Sequence, residues 1–124
     1  MLKELKILVV DDEEIIRKVL SERLIMSGFL VIQAANGIDG LEMAKNEHPD
    51  LILLDIVLPK KDGFAVLAEL RKDPAVSDIP VIIMSNMERD ADVGRALELG
   101  ATTYLVKMNY KLEEVVEKIK DILK

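Results

Sequence analysis

Asp11 and Asp12 follow the apolar run Leu5-Lys6-Ile7-Leu8-Val9-Val10, and Asp55 ends a second run, Leu51-Ile52-Leu53-Leu54. An aspartate that closes a buried strand lies where the chain leaves the sheet, at the strand's carboxyl end. In open parallel α/β sheets that edge is where ligands bind. If the two strands are neighbours, three carboxylates meet in one crevice and repel one another. A hard divalent cation relieves the repulsion, and an all-oxygen donor set suits Mg²⁺. Two more polar residues end strands. Ser85 follows Val81-Ile82-Ile83-Met84, and Lys107 follows Thr103-Tyr104-Leu105-Val106. A hydroxyl and an ammonium facing a cation-bound carboxylate make a site for a tetrahedral oxyanion: cation and lysine neutralise developing charge, and the hydroxyl donates a hydrogen bond.

Short apolar runs alternate with segments of helical period, the pattern of a parallel sheet covered by helices. Strands are expected at Leu5 to Val10, Phe29 to Ala34, Leu51 to Leu54, Val81 to Met84 and Ala101 to Val106. Between them, helices are expected from about Glu13 to Ser27, over a short stretch around Leu41 to Ala44, from about Phe64 to Arg71 and from roughly Glu88 to Leu99. A last helix covers about Leu112 to Leu123. In the first helix Ile16, Val19, Leu20, Leu24 and Ile25 form the apolar stripe. Asn36-Gly37 reads as a turn and Pro59 to Gly63 as a loop. The fold class is α/β: a doubly wound, five-stranded parallel sheet of order 2-1-3-4-5 with helices on both faces. Its topological switch point falls between strands one and three, the strands that end in Asp11-Asp12 and in Asp55.

With 124 residues the chain fits a single domain over 1–124. Half the residues are hydrophobic but only 3% are aromatic, so the core is aliphatic and offers little for base stacking or for holding a flavin. The formal net charge of −6 argues against direct nucleic-acid binding, which needs a basic footprint. Cysteine is absent, which excludes disulfides, thiolate nucleophiles and cysteine metal sites. The amino terminus has no signal-peptide apolar region, and no run approaches the length of a membrane span. The expectation is a cytoplasmic protein without membrane contacts.

The ordered set Asp11-Asp12, Asp55-Ile56-Val57-Leu58-Pro59-Lys60-Lys61-Asp62-Gly63, Ser85 and Lys107 resembles the receiver domain of two-component response regulators, over essentially the whole chain. The resemblance implies that Asp55 accepts a phosphoryl group from a phosphohistidine on a sensor histidine kinase or phosphotransfer protein. It implies Mg²⁺ held by Asp12 and Asp55, with Asp11 assisting and the backbone carbonyl of Val57 as a further ligand. Lys107 would pair with one phosphate oxygen. Ser85 would hydrogen-bond another and move toward it after transfer, and Tyr104 would change rotamer with it. The face formed by helix four, strand five and helix five would then be remodelled for a downstream protein target or fused effector. Such a domain is not an enzyme beyond phosphorylating itself from phosphodonors and slowly losing the phosphate.

Blander readings exist for several of these residues. Asp11, Asp12, Glu13 and Glu14 also suit a helix amino terminus. Ser85 or Asn86 could cap helix four, and Tyr104 could be a core residue with a satisfied hydroxyl. A haloacid-dehalogenase-like phosphatase would need a second aspartate where Val57 stands, and a flavodoxin-like carrier would need a hydroxyl- and glycine-rich loop where Asp11-Asp12 stands. Two positions depart from the common receiver pattern. Met108 replaces the proline that often follows the lysine, and Asn86 stands where a small residue is usual. Val57 and Met87 are both apolar and cannot orient a water, which predicts a long-lived phosphorylated form.

Overall fold

The computed structural model describes residues 4–87, 89–107 and 110–124. Five strands alternate with five helices: β1 (Lys6–Val10), α1 (Glu14–Met26), β2 (Leu30–Ala34), α2 (Gly37–Glu47), β3 (Leu51–Leu54), α3 (Gly63–Lys72), β4 (Val81–Ser85), α4 (Asp90–Glu98), β5 (Thr103–Val106) and α5 (Leu112–Ile122). All strand pairs are parallel and the order is β2-β1-β3-β4-β5. This is the expected architecture.

Period-two alternation divides the core into two layers. Leu8, Val10, Ile52, Leu54, Val81 and Ile83 face the layer that α2, α3 and α4 complete with Ala44, Leu67, Leu70 and Ala96. Ile7, Val9, Leu51, Leu53, Ile82 and Leu105 face the opposite layer, completed by Leu20 and Leu24 of α1 and Val115, Val116 and Ile119 of α5. Strands β3 and β4 are buried along their whole length, so they read as unbroken apolar runs. Every such leucine or isoleucine contributes about 1.5–3 kcal/mol through burial.

The differences from expectation lie at element ends and on one helix face. Asn36 does not make a turn with Gly37. It caps α2, its side chain accepting from the Asp39 amide at 2.8 Å, so α2 starts earlier and runs longer than its apolar residues suggest. In α1 the inward face is Leu20, Ser21 and Leu24, while Val19 and Ile25 are exposed. The wide stripe drawn from sequence was too generous, because α1 leans on the sheet along i, i+4 spacing only. The start of helix four proposed at Glu88, and the Lys107–Met108 linkage, fall outside the described residues. Among the described residues no helix is long and apolar enough to cross a membrane.

A staple at the far end of the fold holds α3 to the following strands. Arg71 donates to the carbonyls of Ser77, Ile79 and Gly100 at 2.8–3.1 Å. It fixes the α3–β4 and α4–β5 connections relative to each other.

Candidate functional site: an acidic crevice at the sheet's switch point

Register places the site residues. Val10 pairs with Leu54, so Asp11 and Asp55 leave the sheet side by side. The Asp55 amide donates to the Val10 carbonyl at 3.0 Å, and the Asp11 amide to the Ala34 carbonyl at 3.1 Å. Ser85 pairs with Val106, which sets Lys107 one residue beyond. One carboxylate oxygen from each of Asp11, Asp12 and Asp55 lies within 4.8 Å of the others. Asp11 and Asp55 are buried, whereas Asp12 is exposed at the rim.

Lys107 sits among these acids. Its Nζ is 2.8 Å from Asp11 Oδ2, 2.8 Å from Asp55 Oδ2 and 3.2 Å from Glu13 Oε1. Burial works to lower the lysine's pKa, but Asp11 and Asp55 outweigh it and hold the ammonium above its ordinary range. Burial pushes the Asp55 carboxyl up from its ordinary value. Lys107 and the Val57 amide oppose that shift, and the Asp11 charge adds to it. The crevice is short of positive charge: one ammonium faces three carboxylates and Glu13. An oxygen-only donor set with unbalanced negative charge fits a hard divalent cation.

A cavity of about 380 Å³ opens over Asp55, lined by Asp12, Glu13, Val57, Ser85, Asn86, Met87 and Lys107. Val57 is 63% exposed at its wall, and its amide donates to Asp55 Oδ1 at 3.3 Å. Ser85 is buried, and its Oγ accepts from the Met87 amide at 3.2 Å. Tyr104 stands on the α3/α4 side of the sheet, and its hydroxyl donates to the Met87 carbonyl at 2.7 Å. Burial pushes the phenol's pKa up, while the nearby Ser85 hydroxyl works against that. His48 is exposed and takes no part.

Three residues support the site in ways the linear sequence hid. Arg17 Nη1 donates to the Asp11 carbonyl at 2.8 Å and fixes the β1–α1 turn. Gly63 brings the first turn of α3 against the backbone of Asp55, and a Cβ there would lie 2.3 Å from the Asp55 carbonyl oxygen. Glu13 reaches Lys107 across 94 positions. Only Gly63 had a sequence signal, as the glycine after Asp62. The Glu13–Lys107 contact is a long-range pairing that no local pattern encodes, and the Arg17 contact reaches back six positions within the β1–α1 turn.

The family model described as response regulator receiver domain matches residues 7–120. The chain belongs to that family. Among solved structures, the receiver superposes on the chemotaxis protein CheY4 of Vibrio cholerae with a TM-score of 0.90 at 26% identity, covering 98% of this chain and all of that one. A CheY-like receiver domain protein from Methanospirillum hungatei gives 0.91 at 29% identity, covering 98% of this chain and 94% of that one. By sequence, the receiver is 44% identical to a probable transcriptional regulator, ycf27, of Porphyridium aerugineum, over 96% of this chain and 48% of that protein. It is 38% identical to the DNA-binding dual master transcriptional regulator RpaA of Synechocystis sp., over 96% of this chain and 49% of that protein. The chain thus spans about half the length of these relatives.

Those relatives correct one expectation. Acidity led to a reading of no direct nucleic-acid binding, yet RpaA is by name a DNA-binding protein. The net charge of −6 describes only the 124 residues of a receiver. Charge balance in that segment does not decide what the regulators of this family bind.

Proposed function

We propose that Asp55 is the phosphoacceptor of this receiver and takes the phosphoryl group from a phosphohistidine on a sensor histidine kinase or phosphotransfer protein. A carboxylate oxygen of Asp55 attacks the phosphorus. The new O–P bond forms as the P–N bond to the donor's imidazole breaks, and the imidazole leaves with the bonding pair and takes up a proton. Lys107, 2.8 Å from the attacking carboxylate, neutralises charge on the transferring group. Ser85, at the end of β4, donates its hydroxyl proton to a phosphoryl oxygen. Asp11, Asp12, Asp55 and the carbonyl of Val57 would hold Mg²⁺. When bound, that ion supplies the positive charge that lets an anionic nucleophile approach an anionic phosphoryl group.

The observation that carries this reading is the convergence of three carboxylates on a crevice with a single buried lysine. The same site releases the group slowly by hydrolysis and accepts it from small phosphodonors such as acetyl phosphate. Residues 1–124 act as one cytoplasmic receiver domain. Its output is relayed through Ser85, Met87 and Tyr104 to the surface of α4, β5 and α5, where a downstream protein or a linked effector reads it. The names of the relatives point that output toward control of transcription.

Beryllofluoride, a stable mimic of the phosphoryl group, tests the assignment. With Mg²⁺ the wild type binds it in a saturable manner followed by ¹⁹F NMR. The same signal is expected to vanish with EDTA or in Asp55→Asn. Equal binding by Asp55→Asn and wild type would overturn the assignment.

A further inference from the structure

Three carboxylate oxygens surround the Lys107 ammonium: Asp11 Oδ2, Asp55 Oδ2 and Glu13 Oε1. To donate to a phosphoryl oxygen it must release one. Asp11 and Asp55 are buried, with side chains only 4% and 6% exposed, and each contact is 2.8 Å. Glu13 is 52% exposed and its contact is the longest, at 3.2 Å. In the metal-free protein, releasing a buried acceptor leaves a charge without its partner in a desolvated place, whereas a released Glu13 is rehydrated at once. The Glu13 contact is therefore the one given up at least cost.

Glu13 is also placed oddly for a purely structural residue. It is the amino-terminal cap of α1, but its side chain makes no cap hydrogen bond. Its backbone does the local work: the amide donates to Asp11 Oδ1 at 2.9 Å, and the carbonyl accepts from the Arg17 amide at 2.9 Å. The carboxylate instead spans to the carboxyl end of β5 and lines the mouth of the cavity over Asp55. It adds a negative charge where an anionic phosphodonor must enter.

We infer that Glu13 is a positioning residue that restrains Lys107 and opposes entry of the phosphoryl group, setting the phosphodonor concentration at which the receiver responds. This inference rests on Asp55 being the phosphoacceptor. On arrival, the phosphoryl oxygen takes over the lysine N–H that Glu13 held, and Glu13 turns to solvent.

The test compares wild type, Glu13→Gln and Glu13→Asp in the acetyl phosphate reaction with saturating Mg²⁺. Glu13→Gln keeps the shape and the backbone contacts but removes the charge. Its half-saturating acetyl phosphate concentration is expected to fall about two- to fivefold, the range of an exposed ion pair, with the maximal rate little changed. The difference shrinks at high salt, because the charge at the rim is screened. Glu13→Asp keeps the charge and returns the value toward wild type. In metal-free protein without phosphodonor, Glu13→Gln also shifts the Lys107 ε-CH₂ resonance while the melting temperature stays put. Unchanged half-saturation in Glu13→Gln, or an equal shift in both variants, would overturn the inference while leaving Asp55 as phosphoacceptor. A wild type that acquires no phosphoryl group at all would remove the phosphoacceptor reading and this inference with it.

Discussion

Asp55, the proposed phosphoacceptor, carries a conflict between its burial and its ion pair with Lys107. It is buried, and burial outweighs Lys107 in setting its pKa above the ordinary value of 3.8. An ionised carboxylate held this way costs the folded state stability. The penalty is absent below the unfolded-state pKa, grows as pH rises through the folded-state value and is constant above it. Asp55→Asn removes it, and Lys107 retains Asp11 and Glu13 as partners. In metal-free buffer at pH 7 the variant is expected to melt above wild type. The gap closes as the pH approaches 3.8. A lower melting point for Asp55→Asn at pH 7 would mean that the Lys107 pair outweighs burial. Val57 is the second residue with a clear expectation. It forms an apolar, exposed part of the cavity wall two positions beyond Asp55 and cannot orient a water. Val57→Asn supplies an amide there, and loss of phosphate from the modified protein should quicken several-fold. Equal decay rates would show that Met87 or Asn86 governs water access instead.

At the level of elements, the site depends on how closely α3 approaches β3. Gly63 lets the first turn of α3 pass over Asp55, with its amide donating to the Ile56 carbonyl at 2.8 Å. Gly63→Ala forces a Cβ to 2.3 Å from the Asp55 carbonyl oxygen, so helix or loop must move. Overpacking of this kind costs about 1–3 kcal/mol. The shift falls on Asp55, so chemical denaturation should register the loss of stability and beryllofluoride binding should weaken with it. The strands were legible because β3 and β4 are buried on both faces and read as pure apolar runs. The strand-end aspartates, Ser85 and Lys107 were legible because each lies at the carboxyl end of a mostly apolar strand. Helix starts were harder to read. Asn36 acts through a side-chain cap rather than through apolar spacing, so α2 looked shorter than it is. Val19 and Ile25 share hydrophobicity with Leu20 and Leu24, and only the sheet decides which of them is covered. Glu13 and Arg17 were not legible as parts of the site. Glu13 meets Lys107 only through three-dimensional register, and Arg17 reaches a backbone carbonyl six positions back, which no side-chain pattern marks.

In the whole molecule, one strand order accounts for the position of the site and for its link to a distant surface. The strand order reverses between β1 and β3, and the crevice left there collects Asp11, Asp12 and Asp55. From that crevice Ser85 reaches Met87 and Met87 reaches Tyr104, through hydrogen bonds of 3.2 and 2.7 Å. A charge added at Asp55 and drawn toward by Ser85 breaks the first of these. In the proposed switch, Tyr104 then loses the carbonyl that holds it, and the balance between two arrangements of the α4–β5–α5 surface shifts. The membership of the chain in the receiver family and its 0.90 superposition on a chemotaxis protein both concern this shared frame. The assignment of the phosphoacceptor concerns one atom pair within it. The most direct measurement is the site of phosphoryl transfer. After incubation with acetyl phosphate and Mg²⁺, the acyl phosphate is trapped by borohydride reduction and the digested protein is mapped by mass spectrometry. A single reduced residue at Asp55, absent with EDTA, is the predicted result. Modification at another residue, or at Asp55 to the same extent without a divalent ion, would contradict it.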